Sequence, residues 1–378
     1  MSELGECAIV GGGLAGFVAY ATLRYGGVDD IVVFDPAGSD PAAAWRRRAE
    51  AIRQRRMRSE SDGHCLPTTF PGLAVRSAAR RRNPWPLVQS VCNRYHPTVS
   101  EFLDHVESVR LGSGWDAAVL PRRIVRIRPV SGGFELLGEG TPVSEKCQRP
   151  GVVFRHVLIA TGHPGLNVPE ELAGDSRTVH AYEPHAYADD VVVVGAGMAA
   201  ATEWLNALAA GARVTSVRRR EPTRRPLNVP RQLFSRRGLA GYHALPPVAR
   251  AAQLAAWGAP SYPSGRRWDE PVAEAGDRFR VAAEVNGAEQ IVCATGFRRG
   301  FRHDPLLAQL VDEHRLATHG TWIALAPDCS ITELTDDERT LALAGIGAQW
   351  AYPGADTLVG AKYAARAFLR RVKACRTH

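Results

Sequence analysis

Two glycine turns, each lying between an apolar strand and a helix, are the residues with the clearest chemistry. In the first, AIVGGGLAG, the glycines Gly11, Gly13 and Gly16 have the spacing GxGxxG. The first glycine of this pattern makes a tight turn, the second lets backbone approach a diphosphate, and the third lets the helix pack on the strand. Amides at the helix start, aided by the helix dipole, then bind the phosphate charge. The turn therefore predicts a dinucleotide site that includes Leu14 and Ala15.

An acidic residue stands where such a site needs one. The next apolar strand, IVVF, is followed by Asp35, about twenty residues beyond the turn. A carboxylate at this position accepts hydrogen bonds from the hydroxyls of a ribose. The alternative is a glycine turn with a purely structural role.

The second turn, VVVVGAGMAAATEW, repeats the arrangement with one change. Gly195, Gly197 and Ala200 give the spacing GxGxxA, and Met198 and Ala199 open the following helix. A second apolar strand followed by the same turn predicts a second dinucleotide.

The charge at the end of the next strand is reversed in this second unit. ARVTSV runs into Arg218, Arg219 and Arg220, with no carboxylate at the strand end. A ribose 2′-phosphate pairs with guanidinium groups and is repelled by acids, so this site is predicted to prefer NADPH to NADH. An exposed arginine run without a ligand is the alternative. We therefore expect two bound nucleotides, FAD in the first unit and NADPH in the second.

Two strands end in the same small residues, which supports the flavin assignment. VVFRHVLIATG places Thr161 and Gly162 after one strand, and EQIVCATG places Thr295 and Gly296 after another. Small residues at a strand end let the backbone meet a cofactor, or cross between domains, without an intervening side chain.

Composition limits the class of protein. At 378 residues and 45% hydrophobic content, the chain is long enough for two or three domains. It lacks an apolar run long enough for a membrane span and a recognisable signal peptide, so we expect a cytoplasmic protein without membrane contact. The seven cysteines are scattered and never spaced CxxC, which argues against disulfides, a metal site or a dithiol pair.

The net charge of +8 is carried mainly by arginine, clustered in WRRRAEAIRQRRMR and ARRR. No nucleic-acid-binding motif accompanies these clusters, so we expect no nucleic-acid partner. A solvated helix face, with some arginines directed at cofactor phosphates, is the simpler interpretation. An acidic partner such as a carrier protein is the alternative. Arg224, Arg225 and Asn228 are further candidates for contact with NADPH or an anionic substrate.

The hydrophobic pattern gives the order of the elements. It predicts strand, helix and strand over 8–35, a helix near 100–109, and a hairpin from 124–127 and 134–137. An insertion over about 221–276 should cover one side of the second unit, which strands at 279–284, 290–294 and 322–325 then close. A last helix is predicted over 356–372. This is an α/β pattern with two Rossmann-like dinucleotide-binding domains.

With these strings assembled, the chain resembles the two-dinucleotide flavoproteins related to glutathione and thioredoxin reductases. Within that group it is most similar to FAD-dependent NADPH monooxygenases of class B and the N-hydroxylating type. GGGLAG, ATGH, GAGMAA, VRRR, ATGF and the last helix follow that family's order. The resemblance implies a discontinuous FAD domain (1–163 and 325–378) around an inserted NADPH domain (164–324).

The resemblance also implies site residues. GADTLVGAKYAAR is similar to the helix start that closes the flavin site, which assigns Asp356, Thr357 and Leu358 to FAD. Trp45 falls near the position of a GGxW string in related enzymes, so Trp45 and Arg46 are assigned to FAD as well.

Catalytic and substrate candidates follow by position in the same family. Arg58, Ser59 and His64 belong to a segment that passes near the isoalloxazine in related folds, although a solvent-facing loop is an equal alternative for His64. The substrate-pocket candidates precede the last helix and are Gln349, Trp350 and Tyr352. For Trp350, core packing is the alternative.

For the reaction, the resemblance implies hydride transfer from NADPH to flavin and reaction with O2. The C4a-hydroperoxyflavin of such enzymes oxygenates a small-molecule N, S or carbonyl centre, without a protein nucleophile. The substrate's identity and the oligomeric state stay open. Two alternatives also stay open: an NAD(P)H-dependent reductase or dehydrogenase that lacks CxxC, with Cys65 as a single thiol, and a non-catalytic flavin-binding redox sensor or interaction protein.

Overall fold

Helices and strands alternate along the chain in the computed structural model, which describes residues 4–58, 61–68, 72–92, 95–139, 152–225 and 229–376. The helices are α1 Leu14–Tyr25, α2 Ala43–Ala51, α3 Leu73–Arg81, α4 Trp85–Val91, α5 Val99–Ser113, α6 Trp115–Ala118, α7 Met198–Ala209, α8 Arg236–His243, α9 Pro247–Trp257, α10 Arg266–Glu274, α11 Pro305–His314 and α12 Leu358–Arg376. The strands are β1 Leu4–Val10, β2 Ile31–Phe34, β3 Val119–Leu120, β4 Ile124–Val130, β5 Gly133–Gly138, β6 Val152–Ile159, β7 Thr178–His180, β8 Asp190–Val194, β9 Arg213–Val217, β10 Thr223–Arg224, β11 Ser261–Tyr262, β12 Phe279–Ala282, β13 Gln290–Cys293, β14 Thr318–His319, β15 Trp322–Ile323 and β16 Thr340–Leu343.

The first sheet combines both ends of the chain. Parallel strands follow the order β3-β2-β1-β6, and β16 pairs with the second half of β6. The antiparallel hairpin of β4 and β5, which the sequence predicted, is added to the first half of β6. Because β16 returns after the whole second unit, the first unit is discontinuous.

The second sheet is wholly parallel and has the order β12-β9-β8-β13-β7. Its central strand β8 is apolar throughout Val191, Val192 and Val193, each at most 2% exposed. A parallel strand covered on both faces gives such an uninterrupted apolar run. The α/β class and the two Rossmann-like units, one within the other, are therefore confirmed.

The insertion packs differently from the prediction. Tyr242 of α8 and Leu254 of α9 belong to the core of the first sheet, and the Tyr242 hydroxyl donates to the Trp350 carbonyl at 3.1 Å. Among the described residues of the insertion, those in the core of the second sheet belong to the part that contains Tyr262 and Trp268. The prediction that the insertion covers one side of the second unit does not hold for α8 and α9, because Tyr242 and Leu254 are buried in the first core.

The stretch 322–325 also departs from the prediction. β15 pairs antiparallel with β14 and does not join the second sheet. Phe301, Leu310 and Ile323 lie in the first core. The domain boundary near 325 stays a prediction, and this packing favours an earlier return of the chain to the first unit.

None of the described cysteines takes part in a disulfide, and Cys7, Cys65, Cys293 and Cys329 are buried. Among the described residues, none of the helices combines the length and apolar character that crossing a bilayer requires.

Candidate dinucleotide-binding sites

The first glycine turn shows why each glycine is there. Gly11 has φ of 108°, and a Cβ on it would lie 2.4 Å from the Ala160 carbonyl oxygen. A Cβ on Gly16 would lie 1.9 Å from the Gly11 oxygen. Gly13 is different, since its φ of −68° suits any residue and a Cβ there would meet no atom within 4 Å. Two glycines are thus required by the fold, whereas Gly13 borders empty space of the kind a close-approaching ligand needs.

The second turn has the same geometry. Gly195 has φ of 133°, and a Cβ on it would lie 2.6 Å from the Ala294 oxygen. Gly197, with φ of −89°, again has nothing within 4 Å of a Cβ. Ala200, fully buried, takes the place of the third glycine. In both turns, therefore, the second glycine has open space where a side chain would lie.

Both turns lead into helices whose first amides are not capped by a side chain. The N-cap residues are Gly13 for α1 and Gly197 for α7. Leu14, Ala15, Met198 and Ala199 form the first turns, and their amides are among the groups that a helix start leaves without an intrahelical acceptor. These helix ends are suited to bind a diphosphate.

The two ATG segments are part of the turns. The Ala160 amide donates to Val10 at 2.7 Å, and the Ala294 amide donates to Val194 at 2.8 Å. Each alanine carbonyl then lies against the first glycine of its turn, which explains why one ATG follows each unit. Both threonine hydroxyls have internal partners: Thr161 donates to Asp304, and Thr295 donates to the Asn167 carbonyl.

Gly162 and Gly296, which follow these threonines, have φ of 79° and 77°. A positive φ of this size favours glycine, so both positions are explained by the backbone.

Asp35 lies directly beside the first turn. Its carboxylate accepts hydrogen bonds from the Gly12 amide at 2.5 Å and from the Ala37 amide at 2.7 Å. A carboxylate has about four acceptor positions, so it retains capacity for a ribose hydroxyl.

The basic strand end of the second unit consists of one packed arginine, Arg218, and two exposed ones, Arg219 and Arg220. The Arg218 side chain is 15% exposed, lies 5.9 Å from the Trp204 ring and pairs with Glu221 at 3.0 Å. Arg219 is 87% exposed and pairs with Glu171 at 3.0 Å. Exposed pairs of this kind contribute little free energy, so a phosphate can replace the carboxylate of Glu171.

The start of α12 is fixed to the loop before it. The Thr357 hydroxyl accepts from the Gly360 amide at 3.1 Å and donates to the Gly354 carbonyl at 2.6 Å. A Cβ on Gly360 would lie 2.2 Å from the Gly354 oxygen, so the helix requires glycine there. Leu358 is half-buried in the first turn, and Asp356 and Thr357 retain accessible surface.

Cationic side chains surround Asp356. Although its carboxyl keeps accessible surface, the surrounding protein desolvates it and raises its pKa, against the opposing charges of Arg299 and Arg58. Burial, with the like charge of Arg225, lowers the pKa of Arg58 to about 10. The Arg58 guanidinium donates to the Arg225 carbonyl at 3.1 Å. The fold thus brings together an arginine of the first unit, the start of α12 and Arg225.

The remaining candidates of the segments around Arg58 and Arg225 differ in their surroundings. Ser59 and Asn228 lie outside the described residues. His64 is 4% exposed, with its ring 5.9 Å from Phe102, so it is not a solvent-facing histidine. Arg224 pairs with Asp269 at 2.6 Å.

Trp45 and Arg46 are held by neighbours within the first unit. The Trp45 ring lies 5.2 Å from Phe102, edge to face, and Arg46 pairs with Asp40 at 2.8 Å. Their contacts in the structure are therefore with protein side chains, and a role toward FAD stays a prediction.

The substrate-pocket candidates are all buried. Trp350 stacks on His319 at 4.6 Å, and Tyr352 stacks on Tyr363 at 4.5 Å. Gln349 borders a small cavity of about 30 Å³. Core packing, the alternative for Trp350, agrees with these contacts.

A stack of side chains lies between the two ATG segments, and the sequence did not predict it. The His163 and Phe297 rings stack with their centroids 4.1 Å apart, and the Tyr182 ring stacks on Phe297 with a centroid distance of 4.9 Å. The guanidinium carbon of Arg48 lies 4.7 Å from the centroid of the Phe297 ring. His163 and Phe297 each follow an ATG, the one signal in the sequence that pointed to them. The stack joins α2 of the first unit to the residues that enter and leave the second sheet.

The segment with His64 is fixed by a histidine that must remain neutral. The His105 Nε2 accepts from the Leu66 amide at 2.8 Å, and burial lowers the His105 pKa from 6.5 to about 4. Since the folded pKa is below the unfolded one, this contribution to stability is present above pH 6.5 and is lost as the pH falls toward 4.

As the pH falls from 6.5 to about 4, the free energy of unfolding should decrease less in His105→Gln than in the wild type. We expect the two decreases to differ by on the order of 2 kcal/mol. Glutamine can still accept the amide hydrogen, and urea unfolding at several pH values measures the difference. His303→Gln, at an exposed position, is the control that should match the wild type. Identical pH profiles for the wild type and His105→Gln would contradict the assignment.

Comparison with known proteins gives the fold. No protein-family model matches the chain, and no curated protein matches it by sequence. Among solved structures, an ornithine N-hydroxylase from Kutzneria sp. 744 superposes with a TM-score of 0.75 at 14% identity, over 100% of both chains. An ornithine hydroxylase from Pseudomonas aeruginosa gives 0.70 at 14% identity, over 98% of this chain and 100% of that one.

A bacillithiol disulfide reductase from Bacillus cereus is also similar, with a TM-score of 0.62 at 14% identity, over 99% of this chain and 100% of that one. Oxygenating and reducing enzymes thus share this architecture over their whole length. With its duplicated glycine turns, the chain has the fold of the two-dinucleotide-domain flavoproteins.

Proposed function

We propose that the protein is an FAD-dependent oxidoreductase reduced by NADPH, and that it oxygenates a small-molecule N, S or carbonyl centre. The observation that carries the proposal is the pair of uncrowded glycines, Gly13 and Gly197, each at an uncapped helix start beside a strand end of defined charge. In the described part of the chain no atom would crowd a Cβ at either position, whereas a bound diphosphate would require glycine there.

The two sites are proposed to differ in the nucleotide they bind. The first, with Asp35 at the strand end, is proposed for FAD within 1–163 and 325–378. The second, with Arg218 and Arg219, is proposed for NADPH within 164–324. The Kutzneria enzyme was determined with reduced FAD, NADP+ and L-ornithine, which supports both cofactors here through the shared fold.

This chain's residues have distinct proposed roles. The amides of α1 and α7 bind the diphosphates, and the amides at the start of α12, beside Asp356 and Thr357, stabilise negative charge on the flavin. The stack of His163, Phe297 and Tyr182 positions the two units and excludes water between them. When bound, FAD would accept hydride from NADPH and supply the reaction with O2.

Oxygenation is preferred to disulfide reduction because the sequence contains no pair of cysteines with the spacing of a redox-active dithiol. The sequence contains no CxxC, and Cys65, the cysteine nearest the candidate segment, is 4% exposed. A disulfide reductase needs an accessible thiolate.

The test of this function is a stopped-flow experiment on FAD-loaded protein reduced anaerobically with NADPH and then mixed with O2. We expect a transient absorbance at shorter wavelength than the oxidised flavin band. Immediate reoxidation without it, with electron transfer to a disulfide or a quinone, would replace oxygenation by the reductase alternative. Failure of both NADPH and NADH to reduce the flavin would contradict the enzyme proposal and leave the redox-sensor alternative.

Cofactor choice makes a second prediction. Arg219→Ala should weaken NADPH binding tenfold or more, because a charge-assisted phosphate contact is worth about 1.5–3 kcal/mol, and should spare NADH. Arg218→Ala should act in the same direction. Kd values from fluorescence titration with each nucleotide measure the effects. Arg213→Ala, at the opposite end of β9, is the control. An equal loss of affinity for NADPH and NADH would show that these arginines do not bind a 2′-phosphate.

A further inference from the structure

A groove of about 660 Å³ lies between α8 and α12, apart from both glycine turns. Its size falls within the range of about 300–1,000 Å³ that small-molecule sites occupy. We call it the α8–α12 groove. None of its lining residues belongs to α1, α7 or either ATG segment.

The two helices present matching faces to the groove. On α12, Val359, Tyr363, Arg366 and Arg370 recur at helical spacing and therefore share one side. On α8, Arg236, Leu239, Ala240 and His243 do the same. Each face is apolar in part and carries arginine near one end.

An aromatic floor continues the apolar part of the groove. The ring centroids of Phe234 and Tyr352 lie 6.1 Å apart, and the Tyr352 and Tyr363 rings stack with their centroids 4.5 Å apart. The floor and the Leu239 and Val359 side chains offer apolar surface to a ligand tail. Between Val359 and Arg370 the face extends about 16 Å along α12 at 1.5 Å per residue.

The arginines of the groove have no acidic partner in the described part of the chain. Arg236, Arg366 and Arg370 are exposed and form no ion pair with a described residue, and no acidic side chain lines the groove. On the same helix, Arg371 pairs with Asp328 at 2.7 Å, and Arg376 pairs with Glu6. Like charges at positions i and i+4, as in Arg366 and Arg370, repel each other, so this end of the groove favours an anion.

We propose that the α8–α12 groove binds an amphipathic anion, with a carboxylate or phosphate at Arg366 and Arg370 and an apolar tail along the floor. Guanidinium groups bind either head group through charge-assisted hydrogen bonds. Tyr352, one of the substrate-pocket candidates, belongs to the groove, but neither nucleotide turn contributes a residue to it. The proposed site therefore goes beyond the proposed redox function and does not require either nucleotide.

Isothermal titration calorimetry on the FAD-loaded protein, without NADPH, tests the site. The probes are dodecanoate and dodecyl phosphate, with dodecyltrimethylammonium and acetate for comparison. We expect saturable binding of the two anionic amphiphiles. The cationic amphiphile and acetate, which lack the charge or the tail, should bind at least tenfold more weakly.

Variants then locate the site. Arg366→Gln or Arg370→Gln should weaken dodecanoate binding about tenfold, since one charge-assisted contact is lost. Arg236→Gln should weaken it as well, whereas Arg237→Gln, exposed on the same helix but outside the lining, should not. All four positions are exposed, and thermal unfolding checks that the variants remain folded.

Three results would overturn the proposal: no saturable binding of either anionic probe, equal binding of the cationic amphiphile, or unchanged affinity in both α12 variants. Because FAD content and NADPH oxidation are measured separately on the same preparation, failure of the groove is distinguishable from failure of the redox function.

Discussion

We expect protein carrying Gly13→Asp to fold as the wild type does but to lose its ability to retain FAD. Gly13 is the N-cap of α1 in an extended conformation, and a Cβ there meets nothing within 4 Å. Aspartate is among the favoured N-cap residues, so the free energy of unfolding without FAD should be unchanged or higher by up to about 1 kcal/mol. Its carboxylate, however, caps the amides that the diphosphate needs and repels the phosphate charge.

At about 4 Å and an effective dielectric constant near 20, that repulsion alone is about 4 kcal/mol, so FAD affinity should fall at least a hundredfold. Flavin absorbance after reconstitution and gel filtration measures the loss. Gly13→Asn fills the same space without charge and should lose less affinity. Gly16→Asp should fail to fold, because its Cβ would lie 1.9 Å from the Gly11 oxygen. Normal FAD content in Gly13→Asp would remove the diphosphate from this turn.

Gly197→Asp should produce the complementary defect, a yellow protein that NADPH cannot reduce. The position has the same uncapped helix start and the same empty surroundings as Gly13. We expect FAD content within error of the wild type and at least a hundredfold loss in the rate of flavin reduction at subsaturating NADPH, by the same electrostatic argument. Anaerobic stopped-flow reduction measures it.

Dithionite, which needs no nucleotide site, should reduce this variant at the wild-type rate and is the internal control. Gly197→Asn should be intermediate, as Gly13→Asn is for FAD. Loss of FAD in Gly197→Asp, or unaltered reduction by NADPH, would mean that the second turn does not serve as the entry point for hydride.

The features that sequence could supply are local ones. Gly11 and Gly16 are fixed by contacts within a few residues or with the adjacent strand, so their spacing predicts the turn directly. The uninterrupted valines of β8 likewise report a strand covered on both faces. Asp35 and Arg218 are found at strand ends because the pattern of strand, turn and helix fixes where each strand ends.

Features that depend on distant contacts could not be read in this way. The burial of Tyr242 against Trp350 joins segments far apart in the chain, so α8 and α9 were assigned to the wrong core. The stack of His163, Tyr182 and Phe297 depends on a crossover between two units, and no periodicity records it. His64 is buried beside Phe102 of α5, a contact between segments that are distant in the sequence.

In the proposed enzyme, two helix starts bind two diphosphates, so that electrons enter from one nucleotide and reach the other. An anaerobic titration of FAD-reconstituted protein with NADPH, followed by absorbance, tests it most directly. We expect stoichiometric FAD and loss of the oxidised flavin band upon addition of about one equivalent of NADPH. A protein that stays colourless with excess FAD, or a flavin band that NADPH leaves unchanged, would contradict it.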